Sequence, residues 1–180
     1  NYTISGLTKP LFGTIASDAV VASVNVQALA INAQVSGDYG AIAKTNSGTI
    51  LFSSADGEIN FASSLAGSTF GGIVGKNYGH IGFTSSNVSV GQTDNSTGRN
   101  ISVGGIAGEM NKQVGGDFAQ ISNCFATGTL RLSQVTGENL CVVGGVVGNL
   151  LAGNLQLCYS ASRIDYLNAT SVKAYGAVFS

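Results

Sequence analysis

Charge is what this sequence has least of. Only 9% of its 180 residues are Asp, Glu, Lys or Arg, and they sum to a formal net charge of −1. No basic patch or stripe runs along the chain, which argues against nucleic acid as a partner and against attraction to an anionic membrane surface. Proline occurs once, at Pro10, so the 26 glycines are not those of a collagen, which needs abundant proline and glycine at every third position. The longest apolar stretch, Leu140 to Gly153, is broken by Asn149 and is too short to span a bilayer. There is one histidine, and the three cysteines are an odd number, which is no disulfide framework. There is neither a signal peptide nor an initiating Met, and the chain begins and ends inside its own pattern. It is therefore expected to be a mature or excised piece of a longer protein. What is present is 44% hydrophobic residues, enough for one domain with a real core, and a polarity made mostly of Ser, Thr and Asn.

Internal repeats organise that composition. Six segments align: Phe12-Gly13-Thr14-Ile15-Ala16, Tyr39-Gly40-Ala41-Ile42-Ala43, Phe70-Gly71-Gly72-Ile73-Val74, Val103-Gly104-Gly105-Ile106-Ala107, Val143-Gly144-Gly145-Val146-Val147 and Tyr175-Gly176-Ala177-Val178-Phe179. Their common glycine recurs at intervals of 27, 31, 33, 40 and 32 residues, as loop insertions would produce. A second column holds Ile50, Ile81, Ile121 and Leu155; Ser53, Thr84, Cys124 and Cys158 follow in another, and Phe125 and Tyr159 come next. A third set alternates polar and apolar residues with period two: Glu58-Ile59-Asn60-Phe61, Asn87-Val88-Ser89-Val90, Thr129-Leu130-Arg131-Leu132 and Arg163-Ile164-Asp165-Tyr166. That is the signature of a half-buried strand.

The expected fold is all-β. It is a right-handed parallel β-helix, or β-solenoid, of about five to six turns with three short strands per turn and turns about 4.8 Å apart. Residues 1–180 form a single repeat domain in this reading. The column Ile15, Ile42, Ile73, Ile106, Val146 and Val178 should stack inside. Gly71, Gly72, Gly104, Gly105, Gly144 and Gly145 should serve as corners, allowing positive φ and close backbone approach. A β-sandwich with coincidental glycine spacing is the competing architecture; the glycine content disfavours helices.

Residues 71–81 (GGIVGKNYGHI) and 121–128 (ISNCFATG) resemble the GLUG repeat, whose pattern reads roughly GGLVG-N-G-I-NCYATG. Residues 143–162 make a looser copy. The resemblance covers residues 70–162 well and 10–61 weakly: the first two repeats lack the Gly-Gly pair, and Ser53 and Thr84 stand in place of the cysteine. It implies a place in large secreted or cell-surface proteins, many of them adhesin-like and some carrying IgA-cleaving peptidases. It implies no catalytic residue, since the motif positions are architectural.

Gly71 to Lys76 departs from a phosphate-binding loop, with Phe70 and Asn77 at the positions that need Gly and Ser or Thr. His80 falls in an outward column with Thr49, Gln120 and Asn154 and reads as solvated; with no second histidine, a His-based zinc site lacks support. Cys124 and Cys158 occupy equivalent positions on successive turns, as stacked buried thiols or as a disulfide. Cys141 would be left over. Glu58 and Asp165 face outward about three turns, roughly 14 Å, apart, whereas glycoside hydrolysis uses carboxylates about 5 to 9.5 Å apart. Asp56 is near Glu58 but is placed at a corner without a basic partner. Arg131 and Asp165 should form a surface ion pair. A flat threonine array for ice is absent. Asn-x-Ser/Thr sequons occur at Asn1, Asn87, Asn95, Asn100 and Asn168, against about three expected by chance from 15 asparagines; Asn87, Asn95, Asn100 and Asn168 are the candidate glycosylation sites.

The expected function is extracellular and non-enzymatic, with no cofactor and no metal. The chain should be a rigid spacer or an adhesive module whose neutral faces bind host or neighbouring-cell glycans or proteins. Tyr78 and the loops at 91–102, 109–118 and 133–142 are its exposed candidates. The main rival is a subunit of a self-assembling extracellular filament, its partners copies of itself, because the open strand edges at a solenoid's ends template further pairing. A polysaccharide-processing β-helix enzyme is a minor alternative.

Overall fold

The structure is a computed structural model that describes residues 2–94, 100–113, 115–133 and 141–167. Every strand pair in it is parallel and joins segments one turn apart, so the strands stack into a β-solenoid of about five turns. No helix occurs among the described residues. One full turn shows the plan: Thr69–Gly71, Val74–Asn77, His80–Gly82 and Ser85–Gln92. Each of the four belongs to its own sheet, here sheets I to IV in that order.

The repeats predict three strands per turn, and the turn has four. The segment Phe70 to Val74 is not one strand but two, joined by a bend. Gly71 ends a strand of sheet I, Gly72 and Ile73 bend, and Val74 begins a strand of sheet II. The glycines are there for space rather than for backbone freedom. None of Gly71, Gly72, Gly104, Gly105 and Gly144 has a positive φ. A Cβ on Gly72 would overlap the Gly105 carbonyl and the Ser86 hydroxyl, and one on Gly105 would overlap the Gly145 carbonyl.

The inward columns form the core. Ile50, Ile81 and Ile121 pair in register in sheet III and are fully buried. Ile42, Ile73, Ile106 and Val146 are linked at the I–II bend by three backbone bonds, the N–H of each of the first three donating to the carbonyl one turn on at 2.8–2.9 Å. Burying each such side chain contributes about 1.5–3 kcal/mol, and only stacked turns can bury them. Phe61, Phe70 and Tyr39 fill a wider part of the core as a ring stack, with centroids 4.0 and 5.4 Å apart. Between sheets II and III, Asn46 and Asn77 are buried and satisfied. Asn46 Nδ2 donates to Asn77 Oδ1 at 2.8 Å, Asn77 Nδ2 to the Gly79 carbonyl at 3.1 Å, and the Gly48 N–H to Asn46 Oδ1 at 3.2 Å.

Two registers differ from those expected. Phe12 pairs with Ala43 and Ile15 with Asn46, so the segment 12–16 is a sheet II strand and not the counterpart of 39–43. The counterpart of Ile42 is Leu11, one residue before that pair. The first turn gives sheet I no strand, and the preceding stretch holds Lys9 and Pro10, whose ring nitrogen cannot donate to a ladder. In sheet IV, Glu58 pairs with Ser89 rather than Asn87, which pairs with Asp56. A slip of two keeps every side chain on its own face, so the alternation itself could not detect it. The sixth repeat, at 175–179, lies outside the described residues.

Candidate functional site

The corner from sheet III to sheet IV turns on a single residue in the left-handed region: Ser23, Phe52, Phe83, Asn123 and Leu157, with φ of 59, 49, 50, 53 and 50°. None is glycine. The next residue closes the corner. The hydroxyls of Ser53 and Thr84 and the thiols of Cys124 and Cys158 each donate to the carbonyl two residues back, at 2.8, 2.9, 3.2 and 3.2 Å. This gives the Ser-Thr-Cys-Cys column its physical content: each member is a small donor that fits inside the corner. In the first turn Val24 holds the place, and its N–H donates to Ser53 Oγ.

The described cysteines are thus free, buried thiols. The interaction with the Cys158 side chain first, and burial second, push the Cys124 thiol well above its ordinary value. Burial likewise raises Cys141.

Left-handed corner residues point outward, so the corner becomes a ridge. Phe52 and Phe83 are 58% and 54% exposed and stack at 5.1 Å, and Leu157 continues the row at 72%. Beside it, at the start of sheet IV, Phe125 stacks on Tyr159 at 5.2 Å with rings 5° from parallel, both exposed. Sequence reasoning aligned Phe125 with Tyr159 but missed the left-handed column. Its signal was the residue immediately before each Ser, Thr or Cys.

The outer face of sheet IV is polar. Glu58, Asn60, Ser89, Thr129 and Arg131 line a shallow groove of about 510 Å³ with Gly91 on its floor. Asn60 Nδ2 donates to Glu58 Oε2 at 3.3 Å. Arg131 and Asp165 pair on adjacent turns, with Arg131 Nη2 3.8 Å from Asp165 Oδ2. Asp165 is held more closely by Arg163, at 2.6 Å. Glu58 and Asp165 lie three strands apart in this sheet. Asp56 is not at a corner but within the strand Ser54–Phe61, where Oδ1 accepts from the Ala28 N–H at 2.9 Å and pins a β-bulge in the facing strand.

A second groove, of about 440 Å³, runs over sheet III past Tyr78, His80, Asp117 and Phe118. His80 sits in register with Thr49 and Gln120, and Gln120 with Asn154. It is half-buried rather than free in solvent, with Nε2 3.2 Å from Ser122 Oγ. Ser122 is itself buried. Lys76 lies 3.4 Å from Asp38. Partial burial opposes its charge, but the Asp38 carboxylate, helped by Glu109, outweighs that and raises its pKa. Among the described residues no group of His, Cys, Asp and Glu could hold a metal ion. Of the sequons, Asn87 is exposed with its Oδ1 accepting from the Thr127 hydroxyl at 3.1 Å, and Asn100 is exposed at φ 52°. Asn1, Asn95 and Asn168 lie outside the described residues.

No family model and no curated protein matches the chain. The GLUG resemblance therefore rests on the residues that carry it. Among solved structures the chain is similar to an IgA1 protease, with a TM-score of 0.72 at 24% identity. The match covers 92% of this chain and 12% of that protein. The likeness is one of fold, a β-helix, and it places no catalytic residue here.

Proposed function

We propose that the chain is a non-catalytic module of an extracellular protein, a stiff spacer whose outward faces bind glycans or proteins. The observation that carries this reading is the exposed aromatic ridge, Phe52 on Phe83 and Phe125 on Tyr159, bordering a polar face of near-zero net charge. The core has no use for rings held at that corner, and a strained backbone conformation presents two of them. Such a surface suits ligands recognised by hydrogen bonds and ring contacts rather than by charge steering. The similarity to a β-helix within an IgA1 protease, together with the GLUG-like residues, supports a place in a large secreted or surface protein. The glycosylation sequons belong to the same reading. Screening the chain against a glycan array and a panel of extracellular-matrix proteins tests it: binding that Phe52→Ala with Phe83→Ala weakens at least tenfold is the expected result. Failure to bind any glycan or protein, or turnover of a polysaccharide, overturns it.

The filament reading has one observation in its favour. Tyr2, Phe12 and Val20 are exposed on the strands that edge sheets IV, II and III, where a second copy could pair. Against it stand Lys9 and Pro10 beside the edge of sheet I, the residue types that blunt an open edge. Light scattering separates the two: long polymers favour the filament and a monodisperse monomer excludes it.

A further inference from the structure

Gly91 has no structural reason to be glycine. It lies inside the strand Ser85–Gln92, its φ is not positive, and a Cβ there would meet nothing closer than Arg131 Cβ at 3.6 Å and Asn60 Oδ1 at 3.9 Å. Gly57 in the neighbouring strand, and Gly71, Gly75, Gly104 and Gly108 in sheets I and II, are different: a Cβ on any of them would run into backbone. In the outward row Asn32, Asn60, Gly91, Arg131, Asp165, this position alone lacks a side chain. Glycine inside a strand weakens it and often marks a close approach by a ligand. The gap leaves an open strip of backbone between Asn60 and Arg131, whose strands lie two spacings, about 9.6 Å, apart.

Resting on the reading of this chain as a binding module, we propose that the trough over Gly91 is a binding site for a neutral oligosaccharide. Its walls supply a carboxylate acceptor from Glu58, guanidinium donors from Arg131, and groups of both kinds from Asn60, Ser89 and Thr129. Adjacent sugar hydroxyls, each donor and acceptor, match that set. Glu58 and Asp165 offset Arg131 and Arg163, so the face selects no anionic sugar. A peptide finds less to hold, because the strands flanking the trough already pair on both sides and offer no free backbone edge. Among the described residues Glu58 is the single acid in the lining, and Asp56 is engaged at the Ala28 bulge, so these residues offer sugar a hold without a hydrolytic pair.

The test is an array of neutral hexose and N-acetylhexosamine oligosaccharides of about two to six residues, matched with sialylated and uronate-containing ones, followed by calorimetry on the strongest binder. A neutral oligosaccharide should bind. Gly91→Val should weaken it at least tenfold while leaving thermal stability equal or higher, since a β-branched residue suits a strand. Glu58→Gln and Arg131→Gln should each weaken it several-fold. Preference for the acidic glycans, or wild-type affinity in Gly91→Val and Glu58→Gln, overturns the trough but leaves the module standing. Binding to no glycan sinks the trough, and the module falls with it only if no protein binds either.

Discussion

The solenoid turns two of its corners by opposite means. At the bend between sheets I and II it uses Gly-Gly pairs in ordinary backbone conformations, because neighbouring turns leave no room for a Cβ. Between sheets III and IV it adopts the left-handed conformation that glycine favours, and fills it with Ser, Phe, Phe, Asn and Leu. Left-handed backbone costs an L-residue about 1–2 kcal/mol. Here a hydrogen bond from the following Ser, Thr or Cys, worth about 0.5–1.5 kcal/mol, offsets part of it, and the displaced side chain gains a place on the surface. At the first of these corners glycine marks contact between backbones, and at the second strain marks the residues shown to solvent.

Substitutions at the two corners should therefore act in opposite directions. The largest effect is expected for Gly105→Ala, whose methyl would overlap the Gly145 carbonyl and Ala126. Overpacking of that kind should lower stability by about 3 kcal/mol in chemical denaturation, and a loss under about 1 kcal/mol would mean the turns can spread. Next is Thr84→Val, which keeps the shape but removes the donor to the Gly82 carbonyl and the acceptor for the Ser53 N–H; a loss of about 1–2 kcal/mol is expected. Cys124→Ser, which keeps a donor in the same place, should cost less than about 1 kcal/mol in the same measurement. Leu157→Gly should instead stabilise by about 0.5 kcal/mol, since relief at φ 50° outweighs the added freedom of the unfolded chain and an exposed side chain loses little contact. A destabilised Leu157→Gly would show that the ridge contributes packing as well as surface.

How far the sequence discloses this follows from the same contrast. Columns that must fill one slot on every turn keep one residue type, so Ile50, Ile81 and Ile121, and the Ser-Thr-Cys-Cys column, are readable directly. Gly-Gly reads as a corner, though its reason is space and not positive φ. The left-handed residue faces solvent and needs no particular chemistry, so Phe52, Phe83, Asn123 and Leu157 form no column by type. The first turn misleads because Phe12-Gly13 imitates Tyr39-Gly40. A Cβ at Gly13 would meet nothing, whereas one at Gly40 would overlap the next turn. The groove was not legible at all: Gly91 is one of 26 glycines, and only its surroundings show that it is dispensable to the backbone.

The smallest expected effect tests whether charge adds anything at the glycine bend. Lys76 of sheet II lies 3.4 Å from Asp38 of sheet I, and Asp38 is steadied by the Thr69 hydroxyl at 2.8 Å. Folding raises the Lys76 pKa above its unfolded value of about 10.5. The folded state therefore holds that proton more tightly, so the stabilisation is fully present below about pH 10.5 and is lost as pH climbs through the higher folded value. A pair still partly open to solvent is worth about 1 kcal/mol or less. The quantity to measure is the difference in thermal midpoint between the wild type and Lys76→Met, at about pH 9 and at about pH 11. The wild type should lead at the lower pH and lose part of that lead at the higher one. If the lead persists undiminished, Lys76 acts through its aliphatic stem against the bend, and the corner is held by packing alone.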